Sequence, residues 1–195
     1  MANPVKFDRS EVVEKASQLF WKKGFNATST RDIQQAVDMR PGSIYATFGS
    51  KKGLYAEALR CYVDTVAGQL NHCLAESDSV LDGLEHFVRK ILIEERDDQA
   101  CEVCMLVKAN AEFTSDDPEL MALSRTLLAD FEQHLSEVFS QAQAGGELPK
   151  RLKPIDYARN FQIHFTGLRS YIKRSDDNAL TETLIKQMFN MIKLL

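Results

Sequence analysis

Hydroxyl groups and cations are concentrated between residues 28 and 52, where they suit contact with phosphate. Side chains of this kind bind the phosphates and sugars of DNA, and some of them also reach base edges in a groove. The chemistry that they predict is non-covalent recognition of nucleic acid. The candidate DNA-binding residues are Thr28, Thr30, Arg40, Ser43, Tyr45, Thr47, Lys51 and Lys52.

A pair of cysteines offers a second kind of chemistry. Cys101 and Cys104 are separated by two residues, and Cys104 is predicted near the start of a helix, where the helix dipole favours a thiolate. Lys108, four residues further on, would favour it as well. A thiol-redox protein that uses this pair is one alternative, and buried cysteines that only pack are another. A zinc site is not expected, because no second Cys or His pair has matching spacing.

The spacing of apolar residues is helical along almost the whole chain, and no segment alternates between apolar and polar residues. This pattern predicts an all-α protein of about nine helices. Asp8 with Glu11, and Ser29 with Asp32, have the spacing of capping boxes. The predicted helices cover about residues 8–24, 30–37, 41–48, 50–76, 78–95, 101–114, 116–144, 155–173 and 178–194.

The first three predicted helices form a helix-turn-helix candidate, because the second and third are short and are joined by a tight turn. A short exposed helix of this kind fits the major groove of DNA, which is about 12 Å wide. Ile44 and Phe48 supply the buried face of the third helix, and Tyr45 is therefore expected on its exposed face. The free N–H groups at the start of the second helix favour an anion.

The distribution of charge supports this hypothesis although the total charge does not. The formal net charge of the chain is −4. Residues 1–55 contain nine lysines and arginines against five acids, a net charge of +4, and the remainder carries −8. The excess of cations is confined to the segment that would contact DNA.

Composition limits the class of protein further. The chain has 195 residues, of which 44% are hydrophobic and 27% charged, which is typical of a globular protein with a substantial core. No apolar run approaches the roughly 18 residues that span a bilayer, and the first residues lack the apolar core of a signal peptide. We therefore expect a cytoplasmic protein without membrane contact. No residue pattern predicts a cofactor, a metal site or catalytic residues.

The residues of the helix-turn-helix candidate resemble the DNA-binding signature of TetR-family transcriptional regulators. The resemblance is carried by residues 28–33, TSTRDI, and by residues 40–54, RPGSIYATFGSKKGL. It implies a DNA-binding domain over residues 1–53 and a larger helical effector-binding and dimerisation domain over residues 54–195. It also implies a homodimeric repressor, not an enzyme, that binds a palindromic operator in double-stranded DNA and is released by a small-molecule effector.

Two positions depart from the family pattern. Asp38 stands in the inter-helix turn where the family usually has glycine, and aspartate tolerates the left-handed backbone better than most residues. Arg40 stands where the family often has serine or threonine, which removes a helix cap and gives a longer reach toward DNA. Residues 104–112 also resemble a stretch in TetR-type regulators that sense electrophiles or hypochlorite through a cysteine, with Cys101 as a resolving partner.

The last two predicted helices carry apolar stripes long enough to form a two-fold interface between subunits. Packing of both stripes inside one subunit is the alternative. The predicted dimer residues are Phe161, Phe165, Leu168, Ile172, Leu184, Met188 and Met191.

An effector pocket is expected between residues 80 and 170, lined mostly by apolar side chains. Plain core packing is the alternative for each of its residues. The candidates are Phe87, Ile91, Met105, Phe113, Phe131 and Phe165.

Overall fold

The computed structural model describes residues 8–95, 103–114, 117–172 and 177–195, and all of its regular structure is helical. This confirms the predicted all-α class with an N-terminal helix-turn-helix. The helices are α1 (Arg9–Lys23), α2 (Thr30–Val37), α3 (Pro41–Phe48), α4 (Lys51–Ala75), α5 (Val80–Arg89), α6 (Met105–Glu112), α7 (Pro118–Ala144), α8 (Pro154–Ile172) and α9 (Asn178–Leu194).

The described residues divide into two compact units. Unit 1 contains those of Met1–Asp64 and Met105–Arg125, and unit 2 contains those of Thr65–Cys104 and Thr126–Leu195. Unit 1 thus combines the helix-turn-helix with α6 and the first part of α7. A boundary between domains after residue 53 stays a prediction.

Local interactions at the helix ends explain most of α1 to α4. The capping box of α2 is present, since Ser29 and Asp32 each accept from the other's backbone N–H. Asp38 ends α2 at φ 51° and ψ 44°, the left-handed conformation expected for the turn. Arg40 precedes α3 without a side-chain cap, and the Ser50 hydroxyl accepts from the Gly53 N–H at the start of α4.

The capping box predicted for the first helix is not formed. Asp8 does cap α1, but its carboxylate accepts from the backbone N–H of Ser10. The Glu11 side chain instead accepts from Lys15 one turn further along the same helix, at 2.6 Å. An exposed ammonium four residues away competes for the same carboxylate, and here it is the preferred partner.

The fifth predicted helix is interrupted. It was expected to continue to about residue 95, whereas the structure changes after α5 into a π-helical segment, Lys90–Glu94. The Glu95 N–H donates to the Lys90 carbonyl at 2.9 Å, and the Glu95 carboxylate accepts from Gln69 of α4 at 3.0 Å. This second contact joins residues that are distant in sequence, so the apolar periodicity gave no sign of it.

Unit 2 is built around a core to which α5, α7, α8 and α9 all contribute. Phe139, Phe161 and Phe189 are fully buried there, and their rings pack edge to face. Glu147, after α7, accepts from the first backbone N–H groups of α5 at 2.9 and 2.8 Å. Among the described helices, none is both long and apolar enough to cross a membrane.

Candidate nucleic-acid interface

The buried and exposed faces of α3 are those predicted from the sequence. Ile44 and Phe48 are buried, while Arg40, Ser43 and Tyr45 are exposed, the last with 41% of its surface accessible. Because α3 has only eight residues, its exposed side chains lie within about two turns of one another. They form a compact polar surface of the size that enters a groove.

A hydrogen bond between two side chains joins the second helix to the third. The hydroxyl groups of Thr30 and Tyr45 lie 3.2 Å apart, and either can donate. Each hydroxyl keeps further hydrogen-bonding capacity, because an O–H group can donate once and accept twice. The pair therefore places two hydroxyl groups with spare hydrogen-bonding capacity together where α2 meets α3.

In two of the predicted contact residues, Thr28 and Thr47, the side-chain hydroxyl donates to a backbone carbonyl. Thr28 is only 1% exposed, and its hydroxyl donates to the Gly24 carbonyl at 2.6 Å. It therefore shapes the turn between α1 and α2 and does not face solvent. Thr47 is half-buried, and its hydroxyl donates to the Ser43 carbonyl at 2.8 Å.

Both predicted lysines are engaged within unit 1. The Lys51 ammonium lies 4.3 Å from the centre of the Phe25 ring, and partial burial lowers the pKa of this lysine. The Lys52 ammonium lies 2.5 Å from the Asp117 carboxylate, whose hydrogen bond raises the pKa of Lys52. Lys52 is exposed, so a phosphate can exchange with Asp117 for the same ammonium.

Charged pairs also surround this surface. Lys23 binds the Asp32 carboxylate at 2.6 Å, which lowers the pKa of Asp32 and leaves that group ionised at neutral pH. Arg9 pairs with Glu57 at 2.6 Å, and its guanidinium lies 4.8 Å from the centre of the Phe48 ring. Arg9 also donates to the Thr47 carbonyl at the end of α3.

Sequence reasoning missed Arg9 as a support of α3, although its place in the cationic segment was a usable signal. It also missed Asp117, which precedes α7 and contacts Lys52, and Glu112 of α6, which contacts the turn after α1. Both contacts join residues far apart in the chain, and no local pattern marks them.

The candidate effector residues do not gather within one unit. Met105 and Phe113 belong to unit 1, where Phe113 packs against Phe25 and Tyr55. The other four belong to unit 2, where Phe87 and Phe165 are in ring contact at 5.8 Å. The candidate effector residues that lie in unit 2, in its core or packed against it, are Phe87, Ile91, Phe131 and Phe165. The assignment of all six to a pocket stays a prediction.

The predicted dimer residues differ in exposure, and Met188 belongs both to the core of unit 2 and to the wall of a groove. Phe161, Ile172 and Met188 are buried in the core of unit 2 within a single chain. Leu168, Leu184, Met188 and Met191 line a groove of about 340 Å³ between α8 and α9. Phe165 is half-buried and packs on Phe161.

The residues that point outward from this pair of helices are partly different ones. Ile163 is 69% exposed and Leu194 is 77% exposed, and neither was among the predicted dimer residues. Both α8 and α9 are apolar on more than one side, so apolar spacing alone did not show which side faces outward.

The cysteine pair is only partly described by the structure. Cys101 lies outside the described residues, while Cys104 is a half-buried free thiol directly before the first residue of α6. Lys108 donates to the carbonyls of Trp21 and Lys22, at 3.1 Å each. Within the described part of the chain, no group of three or more acidic, Cys or His side chains could hold a metal ion.

A short exposed third helix with a hydroxyl pair and cations nearby in the sequence is typical of a helix-turn-helix DNA-binding domain. Residues 12–58 match the family described as bacterial regulatory proteins, tetR family. The HTH-type transcriptional repressor ComR of Escherichia coli (strain K12) is 30% identical over 149 residues, which cover 75% of this chain and 70% of ComR. The chain therefore belongs to the TetR family.

Two further similarities agree with this assignment. The HTH-type transcriptional repressor BdcR of Escherichia coli (strain K12) is 30% identical over 116 residues, covering 60% of this chain and 57% of BdcR. A solved structure of a cysteine variant of the TetR family regulator CifR, complexed with 26 base pairs of double-strand operator DNA, superposes with a TM-score of 0.83. It is 22% identical and covers 97% of this chain and 98% of that chain, which shows a shared fold.

The ion pair between Lys52 and Asp117 leads to the first prediction. Replacing Asp117 by asparagine keeps a side chain that can cap α7 but leaves the Lys52 ammonium without its carboxylate. We expect the affinity for double-stranded DNA to rise about two- to fivefold, since the loss of the ion pair frees the exposed Lys52 ammonium for phosphate. Fluorescence anisotropy with labelled DNA measures the change.

Glu119→Gln is the matched control, because it removes the same charge from an exposed acid in the first turn of α7. It should raise the affinity less than Asp117→Asn does. An equal rise in both variants, or an Asp117→Asn effect that persists when Lys52 is replaced by methionine, would contradict the competition between Asp117 and phosphate.

Proposed function

We propose that this protein represses transcription as a homodimer, that it binds a palindromic operator through α2 and α3, and that a small-molecule effector releases it. The observation that carries the proposal is the hydroxyl pair of Thr30 and Tyr45, in the segment in which Arg40 and Lys52 are also exposed. The names of the repressors ComR and BdcR support the repression of transcription. A regulator of genes acts on chromosomal DNA, so we place the protein in the cytoplasm.

The residues of the surface have distinct roles in this proposal. The hydroxyl groups of Thr30 and Tyr45 bind phosphate oxygens and fix the position of α3 on the duplex. Lys51 and Lys52, at the start of α4, add positive charge to the same backbone contacts. Arg40 and Ser43, at the start of α3, are exposed, and we assign the contacts with base edges to them. Phosphate contacts supply affinity, and the α3 contacts supply sequence preference.

Dimer formation is proposed through the outer face of α8 and α9. In the described residues, every large hydrophobic side chain that is exposed lies on these two helices, with Tyr45 as the exception. An isologous interface would cover this face with the same face of a second copy. The residues of the outer face are Ile163, Tyr171, Leu180, Met191 and Leu194. The groove residues Leu168, Leu184 and Met188 lie beside them.

A two-fold dimer explains why a palindromic operator is proposed. Two identical recognition helices related by a two-fold axis read the same sequence on opposite strands. Their half-sites are then spaced by one helical turn, about 34–36 Å, or by a multiple of it. The effector is proposed to bind among the apolar side chains of unit 2, and the chemistry of these residues indicates an apolar or aromatic compound.

A response to oxidants or electrophiles through Cys104 stays a second, separate prediction. The observation that favours it is the position of a half-buried free thiol directly before α6. The thiol-redox enzyme considered as an alternative receives no support from the similar proteins, which are named as regulators.

The DNA-binding surface is tested with the double variant Tyr45→Ala, Lys51→Ala. We expect it to lose at least about tenfold in affinity for a DNA fragment that the wild-type protein selects from a random pool, because it removes a phosphate ligand and a cation. A mobility-shift titration measures the loss. Lys150→Ala, in the exposed segment after α7, is the control and should bind like the wild type. Full affinity in the double variant would refute the proposed contact surface.

The dimer interface is tested with Ile163→Glu. Ile163 is 69% exposed in one chain, so the substitution leaves the core of unit 2 intact. In a two-fold interface it places two negative charges against apolar surface, and we expect dimer dissociation to increase at least about 100-fold. Sedimentation equilibrium measures it. Gln133→Glu adds the same charge on an exposed position of α7 and should stay dimeric. A dimeric Ile163→Glu protein would place the interface elsewhere.

A further inference from the structure

Helix α6 contacts the end of α1 through a lysine. The Lys108 ammonium donates to the backbone carbonyls of Trp21 and Lys22, at 3.1 Å each. These carbonyls belong to the last turn of α1, where the helix leaves acceptors unsatisfied and carries partial negative charge. A cation at this position therefore stabilises the end of α1.

A glutamate on the same face of α6 contacts the turn that follows. The Glu112 carboxylate accepts from the backbone N–H of Phe25 at 2.9 Å and from that of Asn26 at 2.5 Å. Because Lys108 and Glu112 are four residues apart on a helix, their side chains lie side by side. Together they satisfy four backbone groups on either side of Gly24, and we refer to Lys108 and Glu112 as the α6 clamp.

Gly24 allows the clamp to approach this closely. Its φ is +85°, a conformation that L side chains rarely adopt. A Cβ atom there would lie 3.1 Å from an oxygen of Glu112 and 3.3 Å from Cε of Lys108. The glycine thus ends α1 and at the same time makes room for both side chains.

Aromatic packing beside the clamp partly removes it from water. Phe113 follows Glu112 directly, and its ring packs edge to face on Phe25 and on Tyr55, with centres 5.4 Å apart in each pair. Tyr55 is fully buried. Its burial raises the pKa of its phenol, and the nearby Glu112 carboxylate raises this pKa to a smaller extent. Charge-assisted hydrogen bonds are stronger in such partly dry surroundings than in open solvent.

The clamped turn leads directly to the DNA-binding surface. Thr28 closes the turn by donating to the Gly24 carbonyl, and Ser29 begins the capping box of α2. Thr30, the first residue of α2, then meets Tyr45 of α3. A displacement of Phe25 and Asn26 would therefore shift the start of α2, which carries Thr30 of the hydroxyl pair.

We infer that Lys108 and Glu112 are positioning residues for operator binding, which hold the turn after α1 in the conformation that presents Thr30 and Tyr45 to DNA. The part of this inference that names operator DNA as the ligand rests on the proposed function. The contacts of the clamp with the turn do not rest on it, since they are intramolecular.

The sign of one substitution separates positioning from a simple charge effect. Glu112 is negative and lies in the module that binds a polyanion. If it acted only through its charge, Glu112→Gln would strengthen DNA binding, as predicted for Asp117→Asn. Positioning predicts the opposite, because glutamine has a single neutral acceptor oxygen for the two N–H groups of the turn.

The experiment measures operator affinity for the wild type, Glu112→Gln and the matched control Asp117→Asn, with DNA that the wild type selects from a random pool. We expect Glu112→Gln to weaken binding about tenfold, the effect of losing one charge-assisted hydrogen bond, while Asp117→Asn strengthens it. Affinities are compared at a temperature where circular dichroism shows each protein folded. Unchanged or stronger binding by Glu112→Gln would overturn the inference.

Amide hydrogen exchange is a second measurement, and it tests the clamp in the absence of DNA. In Glu112→Gln the amide hydrogens of Phe25 and Asn26 should exchange at least about tenfold faster, and in Asp117→Asn they should exchange at the wild-type rate. Equal exchange in both variants would contradict the clamp. Should Glu112→Gln not fold, Glu112→Asp carries the same two measurements, because it keeps the charge and shortens the side chain. Positioning predicts weaker binding and faster exchange for it, whereas a simple charge effect predicts neither. A wild-type protein that selects no DNA would refute the proposed function and leave the exchange measurement decisive for the clamp.

Discussion

Phe25 lies where three parts of unit 1 meet, and its interactions hold them together. Its ring packs against Phe20 of α1, Tyr55 of α4 and Phe113 after α6, with ring centres 5.0 to 6.3 Å apart. Its backbone N–H donates to Glu112, and the Lys51 ammonium covers one face of the ring. Each aromatic pair contributes about 0.5–1.5 kcal/mol beyond its buried area. The turn after α1 is fixed by these contacts, and the start of α2 follows from the turn.

Ion pairs then determine how much positive charge the DNA-binding surface offers. Lys23 and Lys52 are held by Asp32 and Asp117, whereas Arg40 is exposed at the start of α3. Both lysines are exposed, and ion pairs of exposed side chains contribute little free energy in water, so a polyanion can replace the carboxylate partner at small cost. Pairing in the free protein therefore does not prevent the cations of residues 1–55, a segment with a net charge of +4, from contacting DNA. The acidic remainder of the chain disfavours binding of DNA elsewhere.

Much of this arrangement was predictable because its determinants are local. The helix class, the Ser29–Asp32 capping box, the left-handed Asp38 and the exposed Tyr45 all follow from residues a few positions apart. The contacts of Glu112 join residues 86 and 87 positions apart, and nothing in a short window marks them. The outer face of α8 was missed for another reason: Ile163 and Phe161 are both apolar, and only packing shows which one the core accepts.

The dependence of operator affinity on salt most directly tests the central claim, which is that the cations of the helix-turn-helix segment bind DNA. In the proposed dimer, two subunits that each placed Arg40, Lys51 and Lys52 at the DNA backbone or groove would release roughly five counterions. The logarithm of the association constant should then fall with the logarithm of salt concentration with a slope of about −5. Anisotropy titrations between about 50 and 200 mM salt measure it. A slope near zero would contradict an interface built on these cations.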